Sequence, residues 1–403
     1  MEIRSIDPVW PKNGAEHFSR TKVLDTDREV EVAVVGAGIS GALIAYELVK
    51  RGVEVAILDR AQPGAGSTAA CTALIQYELD EPLISLSRIR SPEEAQKAYK
   101  ISYEALGWLE SHVGSLDQDC QFKKRKTLLL STRRRDLGPM KEELQARQDL
   151  GIPAEWVDSV ELRSRYGISR LGAIRSDFSI ELDPYRLVVA TLNRVTDLGA
   201  SVYSPTEVGD YVFEDTTVSL RSTHGPQIRA KKVVVANGYQ TPSFLRKGYG
   251  KLLSTWAVAT RPMDLDKVWS DRQMIWEWGK PYLYARTTLD GRVIFGGADE
   301  PFTDPRARDA LIQSKTRRLL KMMHKLMPEL ELEPEYEWSG TFAETEDAMP
   351  YIGSHPDYPN TWMALGYGGN GVTFSMIAAR IITGMICDDP LFCSSSELFR
   401  FQR

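Results

Sequence analysis

One stretch between residues 31 and 60 constrains the chain more than any other. An apolar run, Val32 to Val35, leads into Gly36-Ala37-Gly38-Ile39-Ser40-Gly41, and a second run, Val53 to Leu58, ends at Asp59 and Arg60. Ile39, Leu43, Tyr46 and Val49 recur at helical spacing after the glycines and Gly52 closes that helix, so the stretch reads as strand, helix, strand. Each glycine has a reason. Gly36 permits the tight turn, Gly38 removes the side chain where a pyrophosphate must approach backbone, and Gly41 lets the helix lie close on the strand. The helix N-terminus, with free amides and a positive dipole end, suits phosphate. Asp59, at the end of the second strand, stands where a carboxylate accepts from a ribose hydroxyl. The pattern predicts a dinucleotide-binding unit without separating nicotinamide from flavin.

The chain's 403 residues are enough for two or three domain-sized units. Fifty Lys and Arg stand against 55 Asp and Glu, a net charge of −5, which argues against a nucleic-acid partner. The basic stretches Lys123 to Lys126 and Arg133 to Arg135 read as solvated strand ends. Four cysteines form no C-x-x-C pair and five histidines lack ligand spacing, so no metal centre is expected. Met1 to Glu31 has no apolar leader core, and no later run is long enough for a membrane span; with unpaired cysteines this suggests the cytoplasm.

Further segments follow in a telling order. Pro63-Gly-Ala-Gly66-Ser67-Thr68 is a small-residue loop after the second strand. Asp183-Pro184 offers a helix cap and first turn. Residues 202 to 236 alternate as short strands around Glu207-Val208, and Val233 to Val235 run into Ala236-Asn237-Gly238. Trp338-Ser-Gly340 opens a segment ending in Pro350-x-x-Gly353. Last, a strand from Trp362 to Leu365 leads through Gly366-Tyr-Gly368-Gly369-Asn370-Gly371-Val372-Thr373 into an apolar helix reaching Ile386.

Together these segments resemble the D-amino-acid oxidase, glycine oxidase and sarcosine oxidase family of FAD enzymes over most of the chain. The resemblance implies cofactor contacts from Gly36, Gly38, Ile39, Ser40, Gly41, Asp59 and Arg60, and from Gly66, Ser67, Thr68 and Thr72. It implies further contacts from Val208, Ala236, Asn237, Gly238, Gly340, Gly368, Gly369, Asn370, Gly371, Val372 and Thr373. Where the family continues with an Asn-Ala-Gly-like stretch, this chain has Ala70-Cys71-Thr72. A second helix N-terminus at Gly371 would set positive potential against the flavin, where reduction places negative charge.

The expected architecture is α/β, a Rossmann-like FAD-binding domain with a second, α+β, mixed-sheet substrate domain, both discontinuous in sequence. The first would use residues 30 to 90, 172 to 240 and 335 to 390, the second 91 to 171 and 241 to 334, with 1 to 29 as an N-terminal extension. Helical spacing predicts a helix from Pro92 to Val113, and Pro281 to Gly297 reads as two strands joined at Asp290-Gly291.

The family chemistry is oxidation of a carbon–nitrogen bond by hydride transfer to flavin, which needs a positioned substrate and no catalytic triad or metal. Glycine and D-amino-acid oxidases hold the substrate carboxylate with an arginine at the position where this chain has Phe342. Arg286 and Arg261 are the alternative cations, Tyr282 and Tyr284 offer hydroxyls, Glu344 could attract an ammonium, and Gln76 and Tyr77 could reach the flavin face. No cysteine lies near Gly340 in sequence, so FAD is expected to be non-covalent; the electron acceptor, oxygen or a quinone, is left open. Two alternatives stand beside amine oxidation: a flavoprotein for a larger or non-amine substrate, and a non-catalytic flavin-binding module.

Overall fold

A computed structural model of the chain describes every residue except 1, 6, 7, 15, 246, 247 and 281, and leaves aside the side chains of 391, 393 and 394. Two mixed sheets organise it. The first has the order Tyr351–His355, Tyr358–Leu365, Gln227–Val235, Arg28–Val35, Val55–Leu58, Ser201–Tyr203, and Val208–Phe213 and Val218–Ser222 extend it from Gln227–Val235. The strands from Tyr358–Leu365 to Ser201–Tyr203 are all parallel. Such strands are covered on both faces, which explains their nearly unbroken valine, alanine and leucine. Successive residues serve opposite layers: Val32, Val34 and Ile57 face a layer of helices, while Ala33, Ala56 and Leu58 face Val218, Leu220 and Met363. That helix layer is built from Ile39–Val49, Pro92–Val113, Pro184–Asp197 and Gly371–Ile386.

The second sheet runs Pro334–Glu344, Lys251–Thr260, Val293–Glu300, Leu283–Thr287, Met274–Glu277, Lys123–Leu130, Gly172–Glu181, Ile75–Gln76, with Ala154–Asp158 also paired to Gly172–Glu181. Only Met274–Glu277 and Lys123–Leu130 pair in parallel. Helix Ile312–Leu326 closes its outer face through Leu319, Met323 and Leu326.

Local chemistry fixed several boundaries in advance. The helix predicted at Pro92 to Val113 has those ends; Ser91 Oγ accepts from the Glu94 amide and Pro92 needs no partner for an N–H it lacks. Asp183 likewise accepts from the amides of Tyr185 and Arg186. The Asp290-Gly291 turn joins Leu283–Thr287 to Val293–Glu300, with Gly291 at φ +87°; residue 281, where that pair was expected to begin, lies outside the described residues. Lys123, Lys124 and Lys126 are the solvated residues of a strand whose other half, Thr127 to Leu130, is buried, while Arg125 turns inward to pair with Glu181 at 2.5 Å.

Strand membership differs from the ranges expected of the nucleotide part. Gly172–Glu181, Pro334–Glu344 and Ile75–Gln76 pair into the second sheet, because each is the length of chain that crosses between sheets. Residues 1 to 29 are also more than an appended extension. Val9 and Trp10 are buried, Trp10 Nε1 donates to the Cys71 carbonyl, Ser5 and Ser339 are joined through backbone, and Lys22 bridges to Tyr203.

Candidate active site

One cavity of about 1140 Å³ runs between the sheets. All but one of the residues expected to touch a cofactor line it; the exception is Gly41. A Cβ on Gly41 would lie 1.8 Å from the Gly36 carbonyl oxygen, so Gly41 is fixed by packing of helix on turn. Gly36 takes φ +109°, and a Cβ there would lie 2.4 Å from the Ala236 carbonyl oxygen. Gly38 is different in kind, its Cβ position meeting only Thr68 Oγ1 at 3.2 Å beside the open cavity.

Asp59 braces this end. Its Oδ2 accepts from the Ala37 amide at 2.7 Å and Oδ1 from the Ala61 amide at 2.9 Å. Burial raises its pKa, and those two N–H groups oppose the rise. Thr68 Oγ1 accepts from the Ile39 amide at 3.1 Å, which ties the small-residue loop to the helix start. Val208, Glu207, Gly209, Tyr211 and Thr223 line the far side. Ser67 Oγ and Asn237 Oδ1 line the cavity, buried and with no hydrogen-bond partner among the described residues. Buried polar atoms are rarely left so; with a glycine cradle and two helix starts, they fit the hydroxyls and phosphates of a dinucleotide.

At the other end, the loop from Gly366 opens helix Gly371–Ile386. Ser40 Oγ and Ser375 Oγ lie 2.8 Å apart and join the two helices that begin at the cavity. Tyr239 hydroxyl donates to the Gly368 carbonyl, Thr373 hydroxyl to the Gln76 carbonyl and Asn370 Nδ2 to the Glu78 carbonyl. Aromatic residues line this chamber: Trp276, Tyr282, Tyr284, Phe342, Tyr239 and Tyr367. Gly296, in register with Tyr284, leaves room for its ring, since a Cβ there would meet the Tyr284 hydroxyl at 2.3 Å. Tyr282 hydroxyl donates to Asp299 Oδ2 at 2.6 Å. Burial raises the pKa of both tyrosines.

Of the substrate-side candidates, Phe342, Tyr284, Tyr282 and Gln76 line the cavity, whereas Tyr77, Arg286, Glu344 and Arg261 do not. Tyr77 follows Gln76 along the chain and so points to the opposite side, where its hydroxyl bonds Ser176 Oγ at 3.0 Å. Arg286 is buried behind the inserted N-terminal segment, its guanidinium 5.1 Å from the Trp10 ring centroid and bonded to the Leu182 carbonyl. Glu344 pairs at 2.7 Å with Lys280, and exposed Arg261 pairs with Glu333.

Two contributors were missed. Asp80 lines the chamber at the end of the Gln76-to-Leu79 run, where an acid after a strand reads as a surface turn; only pairing with the distant Gly368-Gly369 turns it inward. Ile3, Arg4 and Ser5 line the dinucleotide end, placed there by bridging to Gly340, and no local pattern signals such a contact. Cys71 also lines the cavity, near Gly340 in space through Ala70, and burial raises its thiol pKa.

A family model described as DAO, FAD dependent oxidoreductase, matches residues 31–385. The chain therefore belongs to this family and is an FAD-dependent oxidoreductase. Among curated relatives, glycine oxidase of Geobacillus kaustophilus is 24% identical over 88% of this chain and 92% of its own. Gamma-glutamylputrescine oxidoreductase of Escherichia coli is 22% identical over 93% and 88%. Among solved structures, L-proline dehydrogenase from P. horikoshii superposes with a TM-score of 0.79 at 20% identity, covering 94% of this chain and 99% of that one. Glycine oxidase from G. kaustophilus gives 0.76 at 21%, covering 90% and 95%.

Proposed function

We propose that the enzyme oxidises the C–N bond of an amine or amino acid. The observation that supports this most is the single cavity whose glycine-lined end suits a dinucleotide and whose aromatic end is closed by Tyr282, Tyr284, Trp276 and Phe342. Its curated relatives include glycine oxidases and an oxidoreductase of gamma-glutamylputrescine. FAD held along the cavity would supply a hydride acceptor for the carbon beside the substrate nitrogen, leaving an imine for water to hydrolyse. Gly38, Ser67, Thr68 and Asn237 would hold the diphosphate and sugar-alcohol region, Asp59 a ribose hydroxyl, Val208 the adenine side, and the start of helix Gly371–Ile386 the flavin ring. The aromatic walls exclude water and orient the substrate.

The cofactor is non-covalent in this reading, since no cysteine lies near Gly340 in sequence. Acid precipitation should release all the flavin into the supernatant. Anaerobic addition of an amine and amino-acid panel should then bleach the flavin of the native protein for at least one class; silence across the panel would defeat the proposal. Re-oxidation by oxygen or by a quinone identifies the acceptor. The aromatic lining also favours a second reading, a larger or non-amine substrate, and the same silence would support it.

A further inference from the structure

A carboxylate-binding cation has no counterpart among the described residues at the substrate end. Arg4 and Arg60 are the lining cations, and both belong to the dinucleotide end: Arg4 Nε donates to the Ala65 carbonyl at 2.6 Å, and Arg60 follows Asp59. Arg286 is screened by Trp10, and Lys280 is engaged by Glu344.

What the chamber presents is the opposite charge. Asp80 lines the cavity with its side chain exposed. Its Oδ2 accepts from the Gly369 amide at 2.6 Å, while no described residue donates to Oδ1. The carboxylate lies so close to the loop that a Cβ on Gly368 or Gly369 would meet it at 2.4 or 2.6 Å. Asp80 N–H in turn donates to Asn370 Oδ1 at 3.1 Å. The acid is thus fixed by backbone contacts on both sides. Tyr239 and Tyr282 lie close enough for their hydroxyls to feel its charge, and their rings line the same chamber.

We propose that Asp80 determines specificity, and that the substrate is an aryl- or alkylamine, cationic at nitrogen and without a carboxylate beside it. This rests on the C–N oxidation reading and narrows it. A carboxylate that lines a cavity with aromatic faces around it attracts an ammonium by charge and by cation–π contact. A neighbouring substrate carboxylate would meet Asp80, and the nearest cation, Lys280, does not line the cavity and is held by Glu344.

Three charged groups, Glu344, Asp299 and Lys280, and one backbone amide, that of Gly369, act on Asp80. Burial pushes its pKa up, the Gly369 amide opposes, Glu344 and Asp299 push further up, and Lys280 opposes; the outcome is about 6. An amine stays protonated across this range, so its binding should weaken as pH falls through about 6 and Asp80 takes up a proton.

The test uses purified holoenzyme and flavin absorbance difference spectra with benzylamine and phenylglycine, which differ by one carboxylate. Benzylamine should bind at least about tenfold tighter, and Asp80→Asn, which keeps an acceptor for Gly369, should weaken it by on the order of tenfold to a hundredfold. Phenylglycine should change less than about threefold. Equal or better binding of phenylglycine, or unchanged benzylamine affinity in Asp80→Asn, overturns the proposal. If that variant fails to retain FAD, wild-type binding between pH 5 and 8 decides, and a flat benzylamine profile overturns it. Binding is read without turnover, so benzylamine that binds through Asp80 without bleaching the flavin counts against C–N oxidation alone. Amino acids that bleach it while phenylglycine binds better count against Asp80 alone.

Discussion

The two ends of the cavity are built from different materials. The dinucleotide end is backbone: glycines at 36 and 38, helix amides, and small hydroxyl and amide side chains, with Asp59 bracing the turn. The substrate end is side chain: six aromatic residues and a carboxylate, carried on strands of the second sheet and on loops, two of which, with Tyr239 and Tyr367, follow strands of the first. Backbone recognition needs particular torsions and close approach, so it tolerates almost no substitution and repeats wherever the same ligand is bound. Side-chain recognition can change with the substrate while the strands beneath stay the same.

If that contrast holds, the largest effect should come from Gly41→Ala. The new methyl lies 1.8 Å from the Gly36 carbonyl oxygen, and backbone cannot yield as a flexible side chain can. Helix and turn must separate, and flavin content after purification should fall at least about tenfold, with a lower melting temperature. Retention of full flavin would show that the turn is less rigid than its contacts imply.

Next in size is a pH effect in the helix layer beneath the dinucleotide. His112 Nε2 lies 2.9 Å from Thr191 Oγ1, and burial, with Lys50 and Arg380 nearby, lowers its pKa from 6.5 to about 4. The unfolded chain takes up this proton near pH 6.5 and the folded chain only near 4, so stability falls as pH drops across that window. The loss approaches on the order of 3 kcal/mol at its lower end. Denaturant melts from pH 7 to 4 should show this slope, and His112→Gln should flatten it.

Asp59→Ala comes third. It leaves the amides of Ala37 and Ala61 without their acceptor and removes the proposed ribose contact, so FAD dissociation should strengthen by about tenfold to a hundredfold. Asp59→Asn, which keeps one acceptor, should lose less; equal losses would assign the effect to charge rather than geometry.

Legibility in the sequence follows the same division. The turn at Gly36 to Gly41, the cap at Asp183 and the helix from Ser91 onward could be read because each is determined by neighbours within a few residues. The sheet that Gly172–Glu181 and Pro334–Glu344 join could not be read, because a strand's sheet is chosen by partners far away in sequence. Arg286 looked available because nothing local reveals that Trp10, 276 residues earlier, covers its guanidinium. Asp80 was missed for the converse reason: its partner Gly369 lies 289 residues later, and without that contact an acid after a strand is an ordinary turn residue.

The smallest effect tests the substrate end by a residue of the right type in the wrong place. Glu344 is on the same strand as Phe342, and its charge suits an ammonium, but the side chain is drawn to Lys280 at 2.7 Å, with Lys280 about two-thirds exposed. A pair this open is worth well under 1 kcal/mol, because water and salt screen it and ordering two long side chains opposes it. Glu344→Gln should therefore change benzylamine affinity less than about twofold, and in the direction of easier Asp80 ionisation, since one neighbouring negative charge is removed. A loss comparable to that of Asp80→Asn would mean that the ammonium sits outside the aromatic chamber, against the rim, and that the division between a backbone-built and a side-chain-built end places the substrate wrongly.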